Sequence, residues 1–173
     1  FTIDGTHSMA LFRVQHQGAG MFWGRINGVS GMIAFDGPDD PKGPSFDVSI
    51  DMDTIDTGST NLDGHLKNAD FFDVPNHPAM TFRSSKATKT GDKTWDVTGT
   101  MQMCGVEKEV TANVEWTGSA NMGRGNKCGF EATFTIKRSE FGVDYGVAQG
   151  ALGDETRVIV ALEAVERLSL IHI

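Results

Sequence analysis

Hydrophobic and polar residues alternate along most of this chain. The segments 46–53, 110–116 and 130–137 each place an apolar side chain at every second position, with polar side chains between them. Strict alternation is typical of strands with one buried and one solvated face, the usual arrangement in antiparallel sheets. A parallel α/β protein would instead show continuous apolar strands separated by helices. The pattern therefore predicts an all-β antiparallel fold.

Turn-forming residues divide this pattern into strands. Clusters of Gly, Pro, Asp and Asn at 36–41, 90–92 and 123–126 supply the backbone angles that tight turns require. The segments between such turns predict eight strands, at residues 1–17 (kinked), 20–36, 44–54, 79–89, 93–103, 107–118, 127–138 and 156–166.

One short helix is predicted near residues 60–69. Thr60 can cap its first turn, and Asp63 can take the third position of a start that resembles a capping box. Asp63 and His65 are two positions apart and therefore point about 200° apart on a helix, so they cannot chelate one ion together. Together with Asp70 they are interpreted as caps and anchors between the helix and the next strand.

Eight antiparallel strands leave two open edges unless the sheet closes on itself. We therefore predict a closed barrel, which at this size is filled by its own side chains or holds one small ligand. The inward candidates are apolar and rich in Phe, Met and Trp. Flexible Met side chains suit a cavity that adapts to its guest. A solid core built from the same residues fits the composition equally well.

Composition narrows the classes of function. The 173 residues include 15 Lys and Arg against 23 Asp and Glu, a formal net charge of −8. This charge repels a phosphate backbone, so nucleic acid is not expected as a partner. No apolar run approaches the roughly 20 residues that span a bilayer, so no transmembrane segment is predicted. The length is typical of one domain, which we assign to residues 1–167.

The last residues stand apart from that domain. Leu168–Ile173 follows the final predicted strand without a turn signal and resembles the conceptual translation of a transposon-type sequencing adapter. The segment is interpreted as a non-native tail and excluded from the fold. A natural strand end is the alternative.

The two cysteines are predicted to be free thiols. Cys104 lies at a turn between two predicted strands, and Cys128 opens the strand after the next. In a meander these positions lie at opposite ends of the intervening strand, roughly 30 Å apart. A disulfide requires Cα atoms within about 7 Å.

Candidate catalytic groups do not form a site in the sequence. Asp4, His7 and Ser8 are too close on an extended strand to converge as orienter, base and nucleophile. Metal-ligand spacing and a Gly-x-Ser-x-Gly elbow are both missing. No catalytic residue, metal or cofactor is therefore predicted.

Arg138 is the one basic residue expected to point inward. It continues the inward series of its strand, and residues 139–142 are expected to form a further turn. A guanidinium in an apolar interior requires a carboxylate partner or a ligand anion. Asp4 or Asp70 is the expected partner, in preference to a ligand.

Motifs in order along the chain resemble those of YceI-like proteins. The blocks that carry the resemblance span residues 2 to about 166 and are Ile3–Ser8, Phe12–His16, Gly24–Asn27, Ser30–Asp36, Ile55–Gly58, Asp63–Leu66, Asp70–Asp73, Pro78–Ser84, Gly105–Val106 with Lys108, Gly129–Phe130 and Arg138–Val143. The resemblance implies an eight-stranded lipocalin-like antiparallel barrel with a helix across one end. It implies a bacterial, periplasmic or secreted protein that holds a polyisoprenoid or related long amphiphile, in a family where homodimers occur and no catalytic residues are generally assigned.

The predicted function is therefore non-enzymatic binding or carriage of a long-chain isoprenoid or similar lipid. Leu62 stands where the family often has Arg, which weakens the expectation of a bound pyrophosphate head group. The residues predicted to line the ligand site are Phe12, Val14, His16, Trp23, Phe72, Phe82, Trp95, Phe130, Phe134 and Phe141. An enzyme acting on a lipid or quinone through a buried polar group such as His16, and a structural or stress protein with a filled core, are the alternatives.

Overall fold

Alternation in the sequence becomes a sheet of long antiparallel strands in the computed structural model, which describes residues 1–166. The strands are β1 (Thr2–Ile3), β2 (Met9–Gln15), β3 (Met21–Ala34), β4 (Ser45–Asp56), β5 (Ala79–Lys89), β6 (Thr94–Met103), β7 (Val106–Asn121), β8 (Asn126–Lys137) and β9 (Glu155–Val165). The α-helix is α1 (Thr60–Lys67), and two short 3-10 helices cover Gly5–His7 and Arg138–Phe141. The tail predicted at Leu168–Ile173 lies outside the described residues.

Pairing between β3 and β4 closes the sheet. The two strands pair from Arg25 opposite Asp56 to Ala34 opposite Ser45, while the remaining strands run round from β3 through β2, β9, β8, β7, β6 and β5 to β4. β1 and β2 both lie between β3 and β9 and so share one place in the sheet. The result is the predicted closed eight-stranded antiparallel barrel.

The kink predicted in the first strand is the 3-10 turn between β1 and β2. Asp4 begins this turn, because its carboxylate accepts a hydrogen bond from the backbone N–H of Thr6 at 3.0 Å. Buried Ser8 then returns the chain to the sheet. Its hydroxyl accepts from the backbone N–H of Glu163 at 3.0 Å and donates to the carbonyl of the same residue at 3.3 Å.

Helix α1 is capped by Ser59 and not by Thr60 as predicted. The Ser59 hydroxyl oxygen accepts a hydrogen bond from the backbone N–H of Leu62 at 3.3 Å. Asp63 anchors the helix to the chain before it, since its carboxylate accepts from both the hydroxyl (2.6 Å) and the N–H (2.7 Å) of Thr57. These two hydrogen bonds hold the pKa of Asp63 below its ordinary value, and the bond from the Thr57 hydroxyl has the larger effect. No helix in the described part of the chain is long and apolar enough to cross a membrane.

The two ends of the barrel carry different elements. Helix α1, the β2–β3 and β6–β7 turns and the segment 142–154 lie at one end, which we call the helix end. The N-terminus, the loop 35–44 and the β5–β6 and β7–β8 turns lie at the opposite end.

Aromatic rings fill the interior near the opposite end. The ring of Phe35 meets Trp95 and Phe130 edge to face, with centroids 5.9 Å and 5.0 Å apart. Phe46 meets Phe130 in the same way at 5.3 Å. Edge-to-face contacts are a preferred arrangement of aromatic pairs. We call these four rings the aromatic floor.

The two thiols are free, as predicted. Cys104 occupies the β6–β7 turn at the helix end, whereas Cys128 lies on β8 near the opposite end. Burial raises the pKa of Cys128 to about 11, so this thiol is protonated at neutral pH.

Candidate functional site

The barrel is hollow between the helix end and the aromatic floor. Its interior encloses a cavity of about 590 Å³. Small-molecule sites in proteins usually occupy about 300–1,000 Å³ and are lined mainly by apolar side chains. Composition left a hollow barrel and a filled one equally open, and the structure is the hollow one. A solid core is therefore wrong for this chain.

Most of the residues predicted to line a ligand site border this cavity. They are Phe12, Val14, His16, Phe72, Phe82, Phe130 and Phe134. Those on strands occupy alternate positions, as the periodicity predicted, and Phe72 reaches the interior from the segment after α1. Their contact with a ligand stays a prediction.

Trp23, Trp95 and Phe141 lie elsewhere. Trp23 is on the outer face of β3, 44% exposed, with the guanidinium of Arg13 5.8 Å from its ring centroid. Trp95 is 1% exposed because it is packed against Phe35 in the aromatic floor. Phe141, also 1% exposed, packs into a small separate core under the 3-10 turn at the helix end. The prediction that these three line the cavity is wrong.

Sequence reasoning missed the residues that form the cavity at the helix end. Leu62 and Leu66 are one helical turn apart on α1, and both border the cavity. Their i,i+4 spacing is a signal that could have found them. Leu152 comes from an irregular segment, where no periodicity identifies the inward position.

The cavity opens at the helix end beside the β2–β3 turn. His16, Gln17, Ala19 and Gly20 border it there and are exposed, and we call this opening the mouth. The backbone of His16 pairs with that of Leu152 in an antiparallel bridge beyond the end of the β2–β9 pairing. His16 was predicted to point inward as a core or ligand-binding residue, and its exposure at the rim excludes the core interpretation.

Three rings in mutual contact link α1 to the segment 142–154. His65 of the helix meets Phe71 at 4.9 Å and Tyr145 at 5.2 Å between ring centroids. Phe71 and Tyr145 are themselves 4.9 Å apart. This cluster fixes the helix to the segment 142–154 at the helix end of the barrel.

Two glycines allow cavity rings to lie flat against the barrel wall. A Cβ on Gly24 would lie 2.2 Å from Cζ of Phe12, and a Cβ on Gly99 would lie 2.6 Å from Cζ of Phe82. In both cases the ring occupies the space above the glycine. Because glycine has no side chain, each ring can lie against the strand, and the centre of the cavity stays open.

Arg138 points inward as predicted, but its partners are not carboxylates. Its guanidinium donates to the backbone carbonyls of Gly153 (2.8 Å), Val143 (3.0 Å), Tyr145 (2.8 Å) and Leu152 (3.4 Å). Burial lowers the pKa of Arg138, a change that nearby carboxylates partly oppose. These carbonyls belong to one looped segment, so Arg138 holds that segment on the barrel.

The carboxylates predicted to pair with Arg138 bind histidines instead. The carboxylate of Asp4 accepts a hydrogen bond from Nδ1 of His7 at 2.7 Å, and Oδ2 of Asp70 lies 3.2 Å from Nε2 of His65. The 3-10 turn brings Asp4 and His7 together, whereas an extended strand would not.

Within residues 1–166, one group of side chains has the spacing of metal ligands. Asp4, His7 and Glu163 each place a ligand atom within 4.8 Å of the others. Nζ of Lys127 lies 3.0 Å from Oε1 of Glu163. This ammonium supplies the positive charge that a bound cation would otherwise bring, so the cluster is consistent with a self-contained ion-pair network.

The fold and the cavity together define the class, a hollow eight-stranded antiparallel barrel. The chain belongs to the family of the YceI-like domain, whose model matches residues 1–164. A UPF0312 protein of Pectobacterium atrosepticum is 32% identical over 168 residues, which cover 96% of this chain and 85% of that protein.

Solved structures share the same fold. BcnA of Burkholderia cenocepacia has a TM-score of 0.82 at 25% identity, covering 94% of this chain and 99% of that one. A polyisoprenoid binding domain from Saccharophagus degradans, implicated in plant cell wall breakdown, has a TM-score of 0.75 at 14% identity, covering 96% of this chain and 98% of that one.

Replacing Arg138 with Met should destabilise the protein by about 3 kcal/mol, because the buried carbonyls lose charge-assisted hydrogen bonds. Urea denaturation measures the change. Arg83→Met is the matched control, since the Arg83 side chain is 78% exposed and its ion pair with Asp47 is on the surface. The control should lose less than about 1 kcal/mol. Equal stability of the two variants would contradict the assigned role of Arg138.

Replacing Gly24 with Ala should force the ring of Phe12 away from the strand, at a cost of about 1–3 kcal/mol from overpacking. Gly20→Ala is the control, because no heavy atom lies within 4 Å of a Cβ built there. Thermal unfolding of the two variants gives the comparison. A Gly24 variant as stable as the Gly20 variant would show that Phe12 does not lie against β3.

Proposed function

We propose that this protein binds and carries a polyisoprenoid or a similar long-chain amphiphile without chemically changing it. The observation that carries the proposal is the apolar cavity of about 590 Å³, which is lined mainly by Phe, Met, Val and Leu and is bordered by exposed residues at the helix end. The relative from Saccharophagus degradans is described as a polyisoprenoid binding domain, which supports the same class of ligand.

Removal of the apolar chain from water would drive binding. Each buried CH₂ contributes about 0.8 kcal/mol, so four isoprene units offer more than about 10 kcal/mol before costs. Ordering a flexible chain and losing its free motion offset much of this gain. The expected dissociation constant is about micromolar to nanomolar. Because the wall is apolar, binding should discriminate chain length and width more than head-group chemistry.

The polar end of the ligand would lie at the mouth. His16 and Gln17 are exposed there and are within reach of solvent and of a head group. Leu62 supplies no charge on the helix side of the cavity. An alcohol, an amide or a quinone head therefore suits the mouth better than a pyrophosphate.

The placement of titratable groups supports binding without turnover. Among the described residues, His16 and Arg138 are the titratable side chains that border the cavity. An enzyme of this kind would hold a reactive group with a perturbed pKa against the buried ligand. His16 is at the solvent-exposed rim, and Arg138 makes four hydrogen bonds to backbone carbonyls.

We further propose that the protein acts in the periplasm or outside a bacterial cell, as membership of the YceI-like family suggests. A long prenyl chain is nearly insoluble in water, and a carrier would be needed wherever such a chain leaves a membrane. The homodimer implied by the family resemblance stays a prediction.

Mass spectrometry of an organic extract of the purified protein tests the proposed function. Wild-type protein should release a long-chain amphiphile in near-stoichiometric amount. Ala132→Phe should release at least tenfold less, because Ala132 borders the cavity and the added ring fills it. Thr133→Phe is the matched control, since the next residue along a strand points to the other face. A wild-type extract without lipid, or equal lipid from both variants, would contradict the proposal.

A further inference from the structure

A second hollow lies beyond the aromatic floor, at the opposite end of the barrel. It is open to solvent, and its border includes Phe1, Ile33, Phe35, Ser45, Phe46 and Trp116. Among the described residues, Phe46 is the one side chain that borders both this hollow and the main cavity. Phe46 therefore borders the closed end of the cavity on one side and the second hollow on the other, beside the packed rings of Phe130 and Phe35.

The surroundings of Phe46 hold this ring in place. The residue is 6% exposed and pairs with Ile33 across β3 and β4. Its backbone N–H donates to the hydroxyl of Ser84 at 2.8 Å, and its ring lies edge to face against Phe130, nearly perpendicular at 88°. Because strand pairing fixes the backbone and Phe130 supports the ring, Phe46 presents a fixed wall to whatever enters from the mouth.

The hollow beyond Phe46 differs in polarity from the apolar main cavity. Its border carries charged side chains of both signs, including Asp47, Arg83 and Lys127. An apolar chain end that reached this region would meet water and charge. The floor therefore separates a dry compartment that suits a hydrocarbon tail from a wet one that does not.

We propose that Phe46 sets the maximum length of chain that the cavity accepts. This inference rests on the proposed function and adds its specificity-determining residue. The tail of a ligand enters at His16, passes the wall residues and ends against the rings of Phe46 and Phe130. Chains that fit within this span bury every carbon, and longer chains leave their extra carbons outside the mouth.

A series of linear prenols of increasing length measures the maximum chain length that the cavity accepts. Delipidated wild-type protein is titrated with geraniol, farnesol, geranylgeraniol and solanesol, and binding is followed by calorimetry. Wild-type affinity should rise with each added isoprene unit and then level off. In Phe46→Ala the affinity should keep rising for at least one further unit, with about tenfold or greater tightening over wild type for the first prenol beyond the wild-type limit.

The fluorescence of Trp116 gives a second test of whether a prenol passes the aromatic floor, and this test does not depend on affinity. It borders the hollow and not the main cavity, at 5.7 Å from the ring of Phe35. A long prenol that passes the floor of the Phe46→Ala variant should quench Trp116 fluorescence. The Trp116→Phe version of the same variant should lose this quenching, and wild-type protein should not show it with any prenol.

Phe134→Ala is the matched control. Phe134 borders only the main cavity, on its side wall, and the same atoms are removed. The length limit should not move in this variant. Phe46→Leu serves as a milder substitution if circular dichroism shows that Phe46→Ala is unfolded, and it should shift the limit in the same direction by a smaller amount.

Each outcome decides between the claims. If wild-type protein binds prenols and folded Phe46 variants keep the wild-type limit, or if Phe134→Ala moves the limit as far as the Phe46 variants, Phe46 is not the determinant and the proposed function stands. If wild-type protein binds no prenol of any length, the proposed function fails and this inference fails with it.

Discussion

The hydrogen bonds between β3 and β4 are the constraint on which the rest of the molecule depends. They join the two ends of the sheet, so every strand has two neighbours and the inner face is surrounded on all sides. A closed wall satisfies its backbone groups within itself. The interior can then remain partly empty without exposing backbone polar groups, whereas an open sheet would need a covering layer packed against its apolar face.

The cavity is directional because the two ends of the barrel are closed by different means. Edge-to-face rings close one end tightly, with Phe130 and Trp95 almost fully buried. A short helix and a loop held by Arg138 cover the other end incompletely. The loop is held by hydrogen bonds from one guanidinium to its backbone carbonyls and by packing of Tyr145 against Phe71 and His65. A ligand tail and a ligand head group would accordingly face opposite ends.

The sequence predicted the wall of the barrel well, because side-chain alternation is a local property of strands. Phe12, Phe130 and Phe134 follow from period two alone. The inward assignment of Trp23 was wrong, because Trp23 precedes Gly24 on the same strand and the inward positions of β3 include Gly24 and Ile26. An inward glycine has no hydrophobic side chain to mark its face, so the large neighbouring Trp was assigned inward in error.

The helix end was less predictable, because its contacts join residues far apart in the sequence. The partners of Arg138 are carbonyls of residues 143–153, and their position depends on how an irregular loop folds. Ser59 and Thr60 are both residue types that cap helices, and the backbone conformation of the chain entering α1 determines which of them takes the N-cap position. Whether the interior is hollow or solid depends on summed side-chain volumes inside a closed wall, which periodicity does not report.

A crystal structure of the protein as purified tests most directly whether that interior accommodates an apolar chain. The account predicts elongated electron density, not explained by side chains, running from beside His16 to the ring of Phe46. Rings of Phe72, Phe82 and Phe134 turned into the centre of the barrel, with no density and no space between them, would contradict it.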